Sequence, residues 1–244
     1  MSVEEKLADV YLMDEEAGEA SPEEIKVYLA RQKEALFDVY KGMATSNPSK
    51  VSDGEGDSQK EKYDVVTASN YALGARKLKG QRPVFSGNLK ARLEDPALYD
   101  AFLDSFTGIA YDGNGRFRIK DNPKELLEIP KNFSGRKSKT EYESFGGVEL
   151  CIKDAKYNTP LTENEVLEHP AWIAAVNGDK ELLGRYARNW FNRTGRQKGM
   201  GFYVDESAEK GDLRALVINS DNYSNASGDN YLNSNARFVR DSPK

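Results

Sequence analysis

Residues 219–235 read Asn219-Ser220-Asp221-Asn222-Tyr223-Ser224-Asn225-Ala226-Ser227-Gly228-Asp229-Asn230-Tyr231-Leu232-Asn233-Ser234-Asn235, unlike the sequence on either side. Asn fills six of the seventeen positions, Ser four, and Asp and Tyr two each. Lys, Glu, Gln, Met and Trp are absent, although these five types supply 53 of the 244 residues. At average composition that absence has a probability of about 0.01–0.02, so the run is under a constraint of its own. A solvated, turn-rich loop is one reading, because Asn, Ser, Asp and Gly all favour turns. Two features oppose it. The run is held between the apolar stretches 213–218 and 236–239, and its Tyr residues recur in Asp-Asn-Tyr-(Ser/Leu)-Asn settings. Tyr, Ser, Gly and Asn are the residues of binding loops, where Tyr gives large contact area at small entropy cost and the others give adaptable hydrogen bonds. Loops fixed on a rigid scaffold are where recognition concentrates.

Outward from this run, residues 201–204, 213–218 and 236–240 are predicted strands joined by polar loops. Upstream, Thr162-x-x-Glu165 is a capping box that opens a short helix. His169-Pro170 interrupts it, and Pro170 starts the next turn through Trp172 and Val176. Asn177-Gly178-Asp179 breaks and recaps the chain. The helix that follows buries Leu182, Leu183, Tyr186 and Trp190 and ends near Gly195. Residues 147–153 alternate, with Val148, Leu150 and Ile152 on one side and Glu149, Cys151 and Lys153 on the other, the pattern of a half-buried strand. Cys151 is then an inert strand residue and His169 a local hydrogen-bonding one. The fold class is α+β, with short, mixed but mostly antiparallel strands and two or more helices.

The first half of the chain reads differently. Ser21, Pro22 and Glu24 cap an amphipathic helix over 21–43 that carries Ile25, Leu29, Leu36, Val39, Tyr40 and Met43. Residues 46–62 hold one apolar residue, Val51, and are expected to form a mobile loop. A second helix is predicted to start at Asp95-Pro96, with Leu98, Tyr99, Phe102, Leu103 and Phe106 as a core stripe. Tyr111-Asp112-Gly113-Asn114-Gly115 reads as a turn into a strand over 116–119. The polar stretch 131–146 suggests a boundary, giving a largely helical supporting region 1–144 and a second domain 145–244.

Composition narrows the chemistry. A single Cys and a single His exclude disulfide frameworks, Cys-rich zinc sites and sites built from several histidines. Net charge is −5, from 35 basic and 40 acidic residues, and the basic residues are scattered, which does not indicate a nucleic-acid partner. No apolar run approaches the ~20 residues of a membrane span, and Met1-Ser2-Val3-Glu4-Glu5 lacks the start of a signal peptide, so a soluble chain is expected. Mean hydropathy is low, at −0.73.

With these residues in view, the chain resembles the variable proteins of diversity-generating retroelements, which display a C-terminal variable region on a C-type lectin fold related to that of formylglycine-generating enzymes. Those proteins end in an Asn-rich stretch closed by an aromatic-containing strand, matched here by Ala236-Arg237-Phe238-Val239-Arg240. Their mutagenesis alters adenines, and AAC or AAT codons changed at the first two bases yield Asn, Ser, Asp, Tyr, Gly, Ala or Leu but never Lys, Glu, Gln, Met or Trp. The Gly-Gly-Ser-Trp start of many relatives is replaced by Val217-Ile218-Asn219-Ser220. The resemblance implies a non-enzymatic, receptor-like protein that binds a protein or surface ligand without cofactor or metal. Its contacts would come from Asn219, Asp221, Asn222, Tyr223, Asn225, Asp229, Asn230, Tyr231, Asn233 and Asn235. Two alternatives stay open: a lectin module with calcium on Asp221 and Asp229, and an enzyme using two carboxylates among Asp100, Asp104, Asp112 and Glu143.

Overall fold

The computed structural model describes residues 62–132, 138–220, 224–230, 232 and 235–242. The helix expected over 21–43 and all but residue 62 of the loop expected over 46–62 lie outside the described residues.

Strand β1 covers Tyr63–Ala68. Helix α1, Tyr71–Lys77, is started by the Asn70 side chain, which accepts the Leu73 N–H at 2.9 Å. Helix α2, Phe85–Glu94, has no side-chain cap of its own; the Phe85 N–H is taken up instead by the Thr107 hydroxyl at 2.8 Å. Asp95 then caps one turn of 3-10 helix, Pro96–Asp100. After it come β2, Leu103–Tyr111, and β3, Arg116–Asp121, joined by a turn in which Asp112 Oδ1 accepts the N–H groups of Asn114 and Arg116 at 2.7 and 2.9 Å. Next are α3 (Lys124–Asn132), β4 (Ser138–Lys139), α4 (Tyr142–Phe145) and β5 (Val148–Cys151). Then follow β6 (Pro160–Leu161), α5 (Glu163–Glu168), α6 (Pro170–Ala175) and α7 (Lys180–Arg193). The described elements end with β7 (Met200–Tyr203), β8 (Asp212–Ile218), β9 (Ala226–Ser227) and β10 (Ala236–Asp241).

Seven strands form one path, β5-β3-β2-β8-β9-β7-β6, with β4 also paired to β8. Every pairing is antiparallel except β7 with β9. Strands β1 and β10 make a separate antiparallel ladder from Tyr63↔Asp241 to Ala68↔Ala236. The central strands β2 and β8 are buried at every position. Strand alternation explains how both faces are used. Leu216 and Ile218 join a core built on Phe85, Trp172, Tyr186, Trp190 and Phe202, while Leu213 and Ala215 join a second core with Tyr71, Phe106, Phe145 and Phe238.

Several expectations hold locally. Thr162 and Glu165 form the reciprocal capping box, His169-Pro170 separates α5 from α6, and Asp179 recaps α7. His169 is buried, with Nε2 2.8 Å from the Lys156 carbonyl oxygen. Three expectations are corrected. The helix from Asp95 ends after one turn, and Leu103 and Phe106 belong to β2; a strand buried on both faces reads as a near-continuous apolar run, which mimics a helical stripe. The boundary at 144/145 is absent. Strands β2 and β3 share the sheet of β8, and the described residues belong to one unit, Glu61–Lys244, so 62–144 supply half the framework. Strand β5 sits at the sheet edge with Val148 50% exposed, which removes the expected half-buried alternation.

Phe238 ties the β1–β10 ladder to the second core. It is fully buried, its ring is 5.1 Å from Tyr71 and 5.7 Å from Phe106, and a Cβ on Gly74 would stand 2.6 Å from it. Phe238→Ala is therefore expected to lose about 3–5 kcal/mol in urea unfolding; a loss under about 1 kcal/mol contradicts this placement.

Candidate functional site

The Asn-rich segment leaves the end of β8 and returns to the start of β10. Between those points the framework grips it four times.

The first grip is Arg92, on the buried face of α2 with Phe85, Asn88 and Leu89. Arg92 is fully buried, and among the described residues no carboxylate pairs with it. Its charge is met by dipoles instead. Nη2 donates to the carbonyls of Ala101 (2.6 Å), Asn219 (2.7 Å) and Ile218 (3.3 Å), and Nη1 to the hydroxyls of Tyr186 (2.9 Å) and Ser224 (3.4 Å). The Tyr99 ring lies 5.4 Å away. Tyr186 and Ser224 are themselves 2.6 Å apart, so one guanidinium fixes both residue 219 and the return at 224.

Asn225 is the second grip. Its Oδ1 accepts the Gly201 N–H at 2.6 Å and its carbonyl accepts the Asn219 N–H at 2.9 Å. This seats Ala226–Ser227 as β9 between β8 and β7. The third grip is Gly228, whose N–H donates to the Tyr203 carbonyl and whose carbonyl accepts the Tyr111 hydroxyl, both at 2.8 Å. A Cβ there would be 2.9 Å from Cδ1 and 3.1 Å from Cγ2 of Ile109, so a larger residue would have to displace that buried side chain. Burial pushes the Tyr111 hydroxyl up, which keeps it a donor. The fourth grip is Leu232: its side chain lies in the second core and its carbonyl accepts the Tyr71 N–H at 3.1 Å.

Asp229, Asn230 and Asn235 are exposed and Asn219 is half-buried; the Asp229 carboxylate accepts the Ser227 hydroxyl. Asp221, Asn222, Tyr223, Tyr231 and Asn233 lie outside the described residues. Asn225 is corrected from contact residue to framework residue, since it is 6% exposed and its side chain is committed to Gly201. Composition treats every Asn in the run alike, and only the strand pairing separates this one. Sequence reasoning missed Arg92, Tyr111 and Tyr71 as holders of the segment; an Arg seven residues after Phe85 on the same helix face was the available signal.

Asp104 closes the C-terminal side. It precedes the register shift of β2 against β8, and its Oδ2 accepts the Arg237 N–H at 2.8 Å. Burial raises its pKa to about 7, with the Arg237 N–H and charge pulling against that rise. The structure sets the four carboxylates of the enzyme reading on four separate elements. Asp100 ends the 3-10 helix, Asp104 is in β2, Asp112 caps the β2–β3 turn and Glu143 is on α4. Among the described residues no group of three or more His, Cys, Asp or Glu could hold a metal ion, and no helix is long and apolar enough to cross a membrane.

No protein-family model matches the sequence, and no curated protein matches it. A solved structure does match in fold. That structure is described as "Accommodation of massive sequence variation in Nanoarchaeota by the C-type lectin fold", with a TM-score of 0.59, 16% identity, and coverage of 75% of this chain and 99% of that one. The described residues thus adopt a C-type lectin fold, an α+β arrangement as expected from the sequence.

Arg92→Met would leave three carbonyls and two hydroxyls without their donor. A loss of about 3–5 kcal/mol in urea unfolding is expected, and a neutral result contradicts the grip. Asp104 gives a pH dependence of known sign. Its folded pKa is about 7, above the ordinary carboxylate value. The folded protein therefore holds this proton more tightly than the unfolded chain, and stability falls as pH rises from about 4 to 7. Asp104→Asn should gain on the order of 2 kcal/mol relative to the parent between pH 5 and pH 8; a difference that stays constant with pH contradicts it.

Proposed function

We propose that the chain is a non-enzymatic ligand-binding protein of the variable-protein type, in which the outward positions of residues 219–235 form a surface diversified by a retroelement and directed at a protein or surface ligand. The observation that carries this reading is the alternation within the segment. Ser224 to Gly228 and Leu232 are gripped and buried, whereas Asp229, Asn230 and Asn235 are exposed. Such a division lets outward residues change without loss of core contacts, because stability resides in the buried positions. Tyr223 and Tyr231 supply the large contacts, and Asp221, Asn222, Asn233 and their neighbours supply hydrogen bonds. The composition limit on the segment and the fold likeness to a structure described as accommodating massive sequence variation support the same reading.

The DNA around the gene tests it. A near-copy of the 3′ end should lie beside a reverse transcriptase and differ from it mainly at adenines; a gene with neither contradicts the reading. On this reading Tyr223→Ala and Tyr231→Ala should each leave the melting temperature within about 2 °C of the parent, as substitutions of contact residues outside the core do. A drop beyond about 5 °C would make them core residues.

A further inference from the structure

Beside the Asn-rich segment, two residues outside it meet at the same end of the sheet. Phe102 immediately precedes β2, whose first residue, Leu103, pairs with Ile218, so Phe102 lies at the level of Asn219. Arg237 is the second residue of β10, two positions beyond Asn235. The Arg237 guanidinium carbon stands 4.6 Å from the centre of the Phe102 ring, and both residues are half-buried.

We propose that Phe102 and Arg237 form a fixed carboxylate-binding subsite, common to every diversified version of this surface; it rests on the ligand-binding function proposed above. The Phe102 ring covers one side of the guanidinium, leaving N–H groups to meet a carboxylate with two parallel hydrogen bonds. Among the described residues no carboxylate occupies that edge. The nearby acid, Asp104, accepts the Arg237 backbone N–H, and burial keeps it partly protonated near neutral pH, which limits how far it neutralises the guanidinium. Thr67, the cross-strand partner of Arg237, carries no charge. By contrast, Arg118, whose guanidinium carbon lies 4.7 Å from the Tyr142 ring centre, pairs with Glu149 at 2.9 Å, and Arg240 pairs with Asp64 at 3.3 Å. The ligand chemistry that fits Arg237 is an Asp or Glu side chain, or a C-terminal carboxylate, of a protein partner. In this division the constant subsite supplies a charged anchor and the interchangeable residues supply discrimination.

The test uses the full chain as bait for a displayed library of random peptides. Selected binders are resynthesised with acidic residues changed to amides, and separately with an amidated C-terminus. Affinities are then measured for the parent chain, for Arg237→Gln, Arg237→Lys and Phe102→Leu, and for a variant carrying Asp229→Ser, Asn230→Ser and Asn235→Ser. Binders are expected to lose about tenfold or more in affinity for Arg237→Gln, with little recovery in Arg237→Lys, and a comparable amount when their own carboxylate is removed. Which peptide change costs affinity separates a side-chain source from a C-terminal one. Melting temperatures of the Arg237 and Phe102 variants within a few degrees of the parent exclude unfolding as the cause. Affinity that depends on residues 229, 230 and 235 but not on Arg237 overturns the subsite and leaves the broader function standing. Affinity that depends on Arg237 alone upholds the subsite and overturns the diversified surface, and dependence on neither overturns both.

Discussion

The Arg92 guanidinium carries a full charge in the protein interior with no carboxylate beside it among the described residues. An unmet charge there would cost several kcal/mol, so the site exists only because carbonyls and hydroxyls from separate segments converge on it. Those segments are the approach to β2, the end of β8, the return at Ser224 and helix α7 through Tyr186. The charge thereby becomes a clamp. The last residues of β8 and the start of the β9 excursion cannot move apart without exposing a bare cation to a dry interior.

The other grips extend the same logic by different chemistry. Asn225 imitates backbone, giving the Gly201 N–H a side-chain acceptor. Gly228 admits the close approach of Ile109, and Tyr111 finishes its carbonyl. Leu232 plants one apolar side chain in the core behind Phe238. Asp229, Asn230 and Asn235 are left exposed beside these fixed points, outside the two cores on either side of β2 and β8. A fold held this way depends on a pattern of buried positions rather than on particular surface residues, which is consistent with a fold likeness at 16% identity.

Sequence legibility followed the range of the interaction. Capping boxes and proline breaks act over three or four residues, so α5, α6 and α7 could be read directly, as could β7, β8 and β10 from their apolar runs. Strand β2 could not, because burial on both faces erases the period that marks a strand. Strand β9 is two residues long and exists only through its neighbours β8 and β7. The Asn-rich segment was recognisable as a unit by composition, yet its division into gripped and outward residues depends on Arg92, Tyr111 and Tyr71, more than eighty residues upstream. The domain boundary failed for the same reason. A polar stretch at 131–146 looks like a linker until β2 and β8 are seen to pair across it.

The most direct measurement is a folding-competence scan in which each residue from 219 to 235 is replaced by every amino acid and the displayed variants are selected for protease resistance at rising protease concentration. Broad tolerance at Asp229, Asn230 and Asn235, with strong intolerance at Ser224, Asn225 and Gly228, is the predicted profile. Uniform tolerance along the segment, or intolerance at the outward positions, would contradict a gripped framework carrying interchangeable contacts.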